Sequence, residues 1–183
     1  MPAKRKLFSI RTGLLIAKYS RGYAIDKLKS EFTDLIRSVS DSLDTDSYDD
    51  GLRFLSLCVL FKADNDTIYQ VTKLIKENVG YDSIIECLEA NALPDCNTLK
   101  YPDIYGDMWE MICKNDTGGI IGYLQKKWYK SHSHAYWYDA HKAKEKLYFG
   151  YWTFEIAALM KALNINADSL NGIEYFPYEL YSY

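Results

Sequence analysis

The sequence contains no run approaching the roughly 20 apolar residues that span a bilayer, so a membrane-spanning helix is not expected. The early stretch Leu14, Leu15, Ile16 and Ala17 is too short for the core of a secretory signal. Cysteine is sparse, and Cys58, Cys87, Cys96 and Cys113 show no CxxC spacing. Three of the four sit in apolar runs, where a free thiol behaves as a small hydrophobe. These absences point to the cytoplasm. HExxH is missing too, and the only histidines are His132, His134 and His141. Zinc needs three or four convergent ligands, so the histidines read as surface or packing residues, with no metal and no cofactor expected. Gly118, Gly119 and Gly122 follow Asp116–Thr117 but lack the Lys–Ser/Thr of a P-loop. They read as close helix packing. No serine or cysteine nucleophile stands beside a base, so catalysis is not expected.

What is present is apolar and aromatic. Hydrophobic residues make up 48% of 183, enough for one domain with a real core. Of 28 aromatic rings 17 are tyrosines, whose apolar body and polar tip suit half-buried packing and interfaces. The net charge of −3 hides an asymmetry. Residues 1–29 carry eight Lys/Arg against one acid, Asp26, which leaves the other 154 residues at a net of −10. An acidic body disfavours direct nucleic-acid binding and attracts a basic protein. The basic leader, residues 1–20, reads as a solvated tail.

The apolar periodicity is helical almost throughout. Leu28, Phe32, Leu35, Ile36, Val39 and Leu43 form one stripe, with Lys27, Glu31, Asp34, Arg37 and Asp41 opposite. An acidic run from Asp41 to Asp50 follows, whose last members suit a helix start. Residues 52–61 are nearly all apolar; periodicity leaves strand and helix open, and four leucines behind an acidic cap favour helix. Asp66 is the expected cap of a helix ended by Gly80, and Asp82 of one stopped by Pro94. Pro102 suits a first turn, and Asp116 caps the next segment. Over 145–163, Phe149, Trp152, Ile156, Leu159, Met160 and Leu163 share an arc of about 100° with Phe154 opposite, at about 100° per residue. A helix apolar on both sides is central to its fold. The expectation is an all-α, single-domain bundle of about seven to nine helices around that C-terminal helix. Within it, residues 21–95 and 100–183 are the expected N- and C-terminal helical modules.

The segment YFGYWTFEIAALMKALNI (148–165) and the ending EYFPYELYSY (174–183) resemble the C-terminal module of the PoNi-type immunity proteins. IDKLKSEF (25–32) and YDDGLRFLSLCVLF (48–61) are similar to that family's N-terminal module. The resemblance implies a helical protein that binds and blocks a cognate antibacterial DNase toxin, delivered by type VI secretion or a related contact-dependent system. It implies no enzyme activity and no membrane contact. Gly150, Trp152 and Glu155 fall on its motif and read as fold-keeping.

The acidic body suits a basic nuclease groove on its own account. Asp41, Asp44, Asp46, Tyr48, Asp49 and Asp50 are the leading candidate interface, with Tyr48 as an anchor. The Tyr-rich end, Glu174, Tyr175, Tyr178 and Glu179, is the second. A helical scaffold without a toxin partner is the alternative function. A metal-dependent hydrolase using His132, His134, His141 and Glu155 is a third.

Overall fold

The computed structural model describes residues 2–39, 43, 47–135, 137–142, 144 and 150–183, and among them there is helix and no strand. α1 (Pro2–Ser20) and α2 (Ile25–Ile36) form an N-terminal hairpin, followed by α3 (Tyr48–Leu60), α4 (Asn65–Val79) and α5 (Ser83–Ala90). The second half holds α6 (Pro102–Cys113), α7 (Thr117–Tyr123), α8 (Phe154–Ala162) and α9 (Tyr178–Ser182). From α7 the helical course continues through a π-helical turn, Leu124–Trp128, to Tyr129–Ser131. No helix among the described residues is long and apolar enough to cross a membrane.

Capping explains most of the boundaries. Ser47 accepts from the Asp50 amide at the start of α3, and Asp49 and Asp50 occupy its first turn, where carboxylates complement the dipole. Pro102 opens α6, and Asp116 accepts from the Gly119 amide at 2.8 Å to open α7. Only Gly119 of the three glycines there is crowded, and by its own cap Asp116 and Met111, so general close packing does not account for them. The cap of α4 is Asp64, not Asp66: Asp64 Oδ1 accepts from the Thr67 amide at 2.7 Å, and Asp66 sits inside the first turn. The stripe expected over 28–43 ends its helix at Ile36. There the Ser38 amide and hydroxyl both turn back onto the Leu35 carbonyl, while Val39 and Leu43 remain buried.

The core is built on α3 and α8. The run left open between strand and helix is helix, and α3 is buried round its circumference through Leu52, Phe54, Leu55, Leu57 and Leu60. α8 packs most extensively against it, with α5, α6 and α9 on its other sides. Gly51 lets α4 approach α3: a Cβ there would lie 3.1 Å from Ile75 Cγ1. Phe54 meets Phe8 of α1 at 5.0 Å and Phe32 of α2 at 5.3 Å, which seats the hairpin on the core.

Two expectations fail here. Residues 2–20 are not a solvated tail, because Phe8, Leu15, Ile16 and Tyr19 of α1 are buried. Leu7, Ile10 and Leu14 occupy its outer face and are more than half exposed. The helix expected over 145–163 begins only at Phe154; residues 150–153 are non-helical, and Phe149 lies outside the described residues. Gly150 has φ +106°, and a Cβ on it would lie 2.1 Å from Ser20 Oγ. Trp152 donates its indole N–H to that same hydroxyl at 2.7 Å, and the Thr153 amide donates to the Tyr175 carbonyl at 2.9 Å. The chain is thus held against α1 and the C-terminal turn before α8 starts.

Asp82 is fully buried and locks the two halves of the core together. Its Oδ1 accepts from the Ile84 and Ile85 amides and from Tyr48 Oη at 3.0 Å, and its Oδ2 from the Lys100 amide at 2.8 Å. Four donors compensate a carboxylate taken out of water. Asp82→Ala removes the cap and strands the Tyr48 and Lys100 donors, so urea titration should show a loss of roughly 3–5 kcal/mol. Tyr48→Phe, which leaves three donors, should cost about 1 kcal/mol.

Lys161 of α8 donates to the carbonyls of Leu180 and Tyr181, tying α9 down. Burial, then the charges of Lys62 and Lys29, push its ammonium down to about 8 from 10.5. Between those values the unfolded chain binds more protons than the folded one, so this group adds stability as pH rises. The stability difference between the parent and Lys161→Met should therefore grow in the parent's favour from pH 7.5 to 9.5, read by urea titration.

Candidate functional site

Asp49, in the first turn of α3, lies on a cleft between α1, α3, α6, the π-helical turn and the start of α8. Its Oδ1 accepts from Tyr105 Oη at 2.7 Å, and His134 Nε2 is 3.5 Å from Oδ2. Burial, then the Asp49 charge, hold the Tyr105 phenol well above its ordinary range. Asp50 pairs with Arg53 at 2.9 Å. Tyr48 is buried, with its hydroxyl on Asp82 and its ring edge-on to Tyr101, so it sits behind this surface. Asp41, Asp44 and Asp46 lie outside the described residues.

Glu155 reaches the same cleft from the first turn of α8, where the helix dipole favours a carboxylate. It is 9% exposed and accepts from Trp128 Nε1 at 3.0 Å. Trp128 stacks on Trp137 at 5.6 Å and meets Tyr175 at 5.0 Å, while Tyr129 lies nearly parallel to Tyr175 at 5.8 Å. Aromatic pairs at these separations add to their area burial, so the 128–142 segment is held to the C-terminal turn largely by rings.

The C-terminal candidates line a second, larger groove. Glu174 is exposed at its edge. Tyr175 takes φ +70° to place its ring on Trp128, Tyr178 donates to Asp168 Oδ1 at 3.1 Å, and Glu179 accepts from Tyr19 Oη at 3.0 Å. Tyr151 and Trp152 line both the cleft and the groove. The α3 end and the C-terminal end therefore belong to one acidic, tyrosine-lined face. Tyr105 and Tyr151 are not singled out in the sequence, and His134 only as a metal-ligand candidate, because their partners are distant or unpatterned. Tyr105 and Asp49 are 56 positions apart, a separation at which neither periodicity nor capping carries a signal.

The histidines do not converge. His132 is buried, its Nδ1–H donating to the Trp128 carbonyl at 2.9 Å. Its ring is 6.1 Å from that of His134, and His141 sits on the Tyr151 hydroxyl instead. Among the described residues no three His, Cys, Asp or Glu side chains are placed to hold a metal ion.

Gly150 and Trp152 fix how Tyr151 is presented. Gly150→Ala forces a glycine-only conformation and a clash with Ser20, and should lower stability by about 2 kcal/mol or more in thermal denaturation. Trp152→Phe keeps the ring contact with Tyr19 but loses the Ser20 bond, and should cost about 1 kcal/mol.

The family model described as PoNe immunity proteins (PoNi), C-terminal, matches residues 80–180. That described as PoNe immunity protein (PoNi), N-terminal, matches residues 2–75. No curated protein and no solved structure matches the chain. With the two models together spanning nearly its whole length, the chain belongs to the PoNe immunity protein family.

Proposed function

We propose that the protein neutralises a PoNe nuclease toxin by binding it stoichiometrically in the cytoplasm, as an inhibitor rather than an enzyme. The family match over both halves of the chain is the observation that carries this reading. The toxin is delivered by type VI secretion or a related contact-dependent system, as the sequence resemblance implies. A nuclease presents positive charge to phosphate, and a partner with acids in an aromatic setting suits that groove. The face that joins Asp49 to Glu174, Tyr175, Tyr178 and Glu179 across Tyr151 and Trp152 supplies both, with Asp50 next to Asp49 in the first turn of α3. Asp41, Asp44 and Asp46, between α2 and α3 in the sequence, are further acidic candidates. The basic charges of α1 are the part of the chain a basic toxin would avoid.

Co-expression with the PoNe nuclease encoded beside it should keep cells alive and yield a co-purifying complex; death of the host with both chains soluble contradicts the reading. Within the complex, neutralising Asp44, Asp46, Glu174 and Glu179 to Asn or Gln should slow association several-fold at low salt, with little change in melting temperature. The difference should shrink once added salt brings the Debye length below about 8 Å. Association rates indifferent to both variant and salt would place the interface elsewhere.

A further inference from the structure

Half-buried Asp49 and buried Glu155 lack the compensation that Asp82 has. Asp82 is compensated by four donors, whereas Glu155, also buried, has the Trp128 indole N–H as its one bonded partner among the described residues. Asp49 accepts from Tyr105 and stands 3.5 Å from His134. Among the described residues neither carboxylate is paired with a Lys or Arg; Arg53, which also lines the cleft, pairs with Asp50. A withdrawn carboxylate with a single hydrogen bond is left with an uncompensated desolvation cost. The rest of the cleft lining is largely aromatic, with Tyr105, Trp128, Trp137, Tyr151 and Trp152. Asp49 and Glu155 line this one cleft together with the Tyr105 ring, whose hydroxyl is bonded to Asp49.

We propose that this cleft is the socket for an arginine side chain of the bound toxin, its guanidinium lying between the aromatic walls and bonding Asp49 and Glu155. The inference rests on the toxin-binding reading above and names the anchor within it. Arginine fits better than lysine: its planar cation stacks on aromatic faces and divides its five donors between two acceptors, whereas an ammonium is a compact, strongly hydrated point charge. A basic nuclease offers arginines on the surface that meets DNA. An anchor this deep acts on residence time, unlike the exposed Glu174, which acts on steering.

The test uses Asp49→Asn and Glu155→Gln, singly and together. Both keep an oxygen to accept from Tyr105 or Trp128 and remove only the charge. Surface plasmon resonance against the toxin should show dissociation faster by roughly 10–100-fold in the double variant, with the association rate changed far less. Circular dichroism and melting temperature establish that the variants are folded. An unchanged dissociation rate in a folded double variant overturns the proposal. Should either variant not fold, the unmutated chain decides the matter. N-acetyl-arginine amide should shift the Trp128 indole N–H resonance in a saturable way, and the neutral citrulline counterpart should not. Equal response to the two amides, or to neither, overturns the socket. A parent chain that binds no toxin overturns the reading on which the socket rests, and the same pair of amides then tests the cleft alone.

Discussion

A helix enclosed on every side constrains everything around it. Eight of the nine residues of α8 are buried, so the carboxylate in its first turn must meet protein groups rather than water. Trp128 supplies that group, and its ring brings Trp137 and Tyr175 with it. The approach to α8 is equally confined: Gly150 and Trp152 press on Ser20 of α1, and Thr153 is tied to Tyr175. The aromatic face is thus a by-product of closing the core. Side chains fixed for stability leave Asp49, Tyr151, Glu174 and Glu179 in set positions at its edge. Groups held rigidly before a partner arrives lose little freedom on binding.

Much of this was legible in the sequence because capping and periodicity are local. Asp82, Pro102 and Asp116 mark helix starts, Gly80 marks an end, and the apolar run at 52–61 becomes the central α3. The errors have physical causes. α1 is apolar on two faces, with Phe8 and Leu15 inward and Leu7, Ile10 and Leu14 outward, so its basic residues dominated a charge-based reading. Trp152 fits a helical arc by spacing alone, yet its indole N–H is fixed by Ser20, 132 positions away. Tyr48 had the composition of an anchor, and its hydroxyl is spent on Asp82 inside the core. No single-sequence pattern reports such distant pairings.

Charge is sorted in this chain by element. Residues 1–29, from α1 through the turn to the start of α2, hold eight Lys/Arg against Asp26, and the remaining residues carry the opposite excess. In the proposed account the acidic face steers a basic nuclease, the tyrosines give contact area at low entropic cost, and the cleft supplies depth. These contributions separate kinetically, because rim charge governs encounter and a buried anchor governs escape.

In the proposed complex one continuous face, from the start of α3 across Tyr151 and Trp152 to the C-terminal turn, meets the toxin. Amide hydrogen exchange on the chain, free and bound to its PoNe nuclease, tests it most directly. The account predicts new protection concentrated in residues 47–53, 150–156 and 172–179. Protection confined to the outer face of α1, or to α4 and α5, would contradict it.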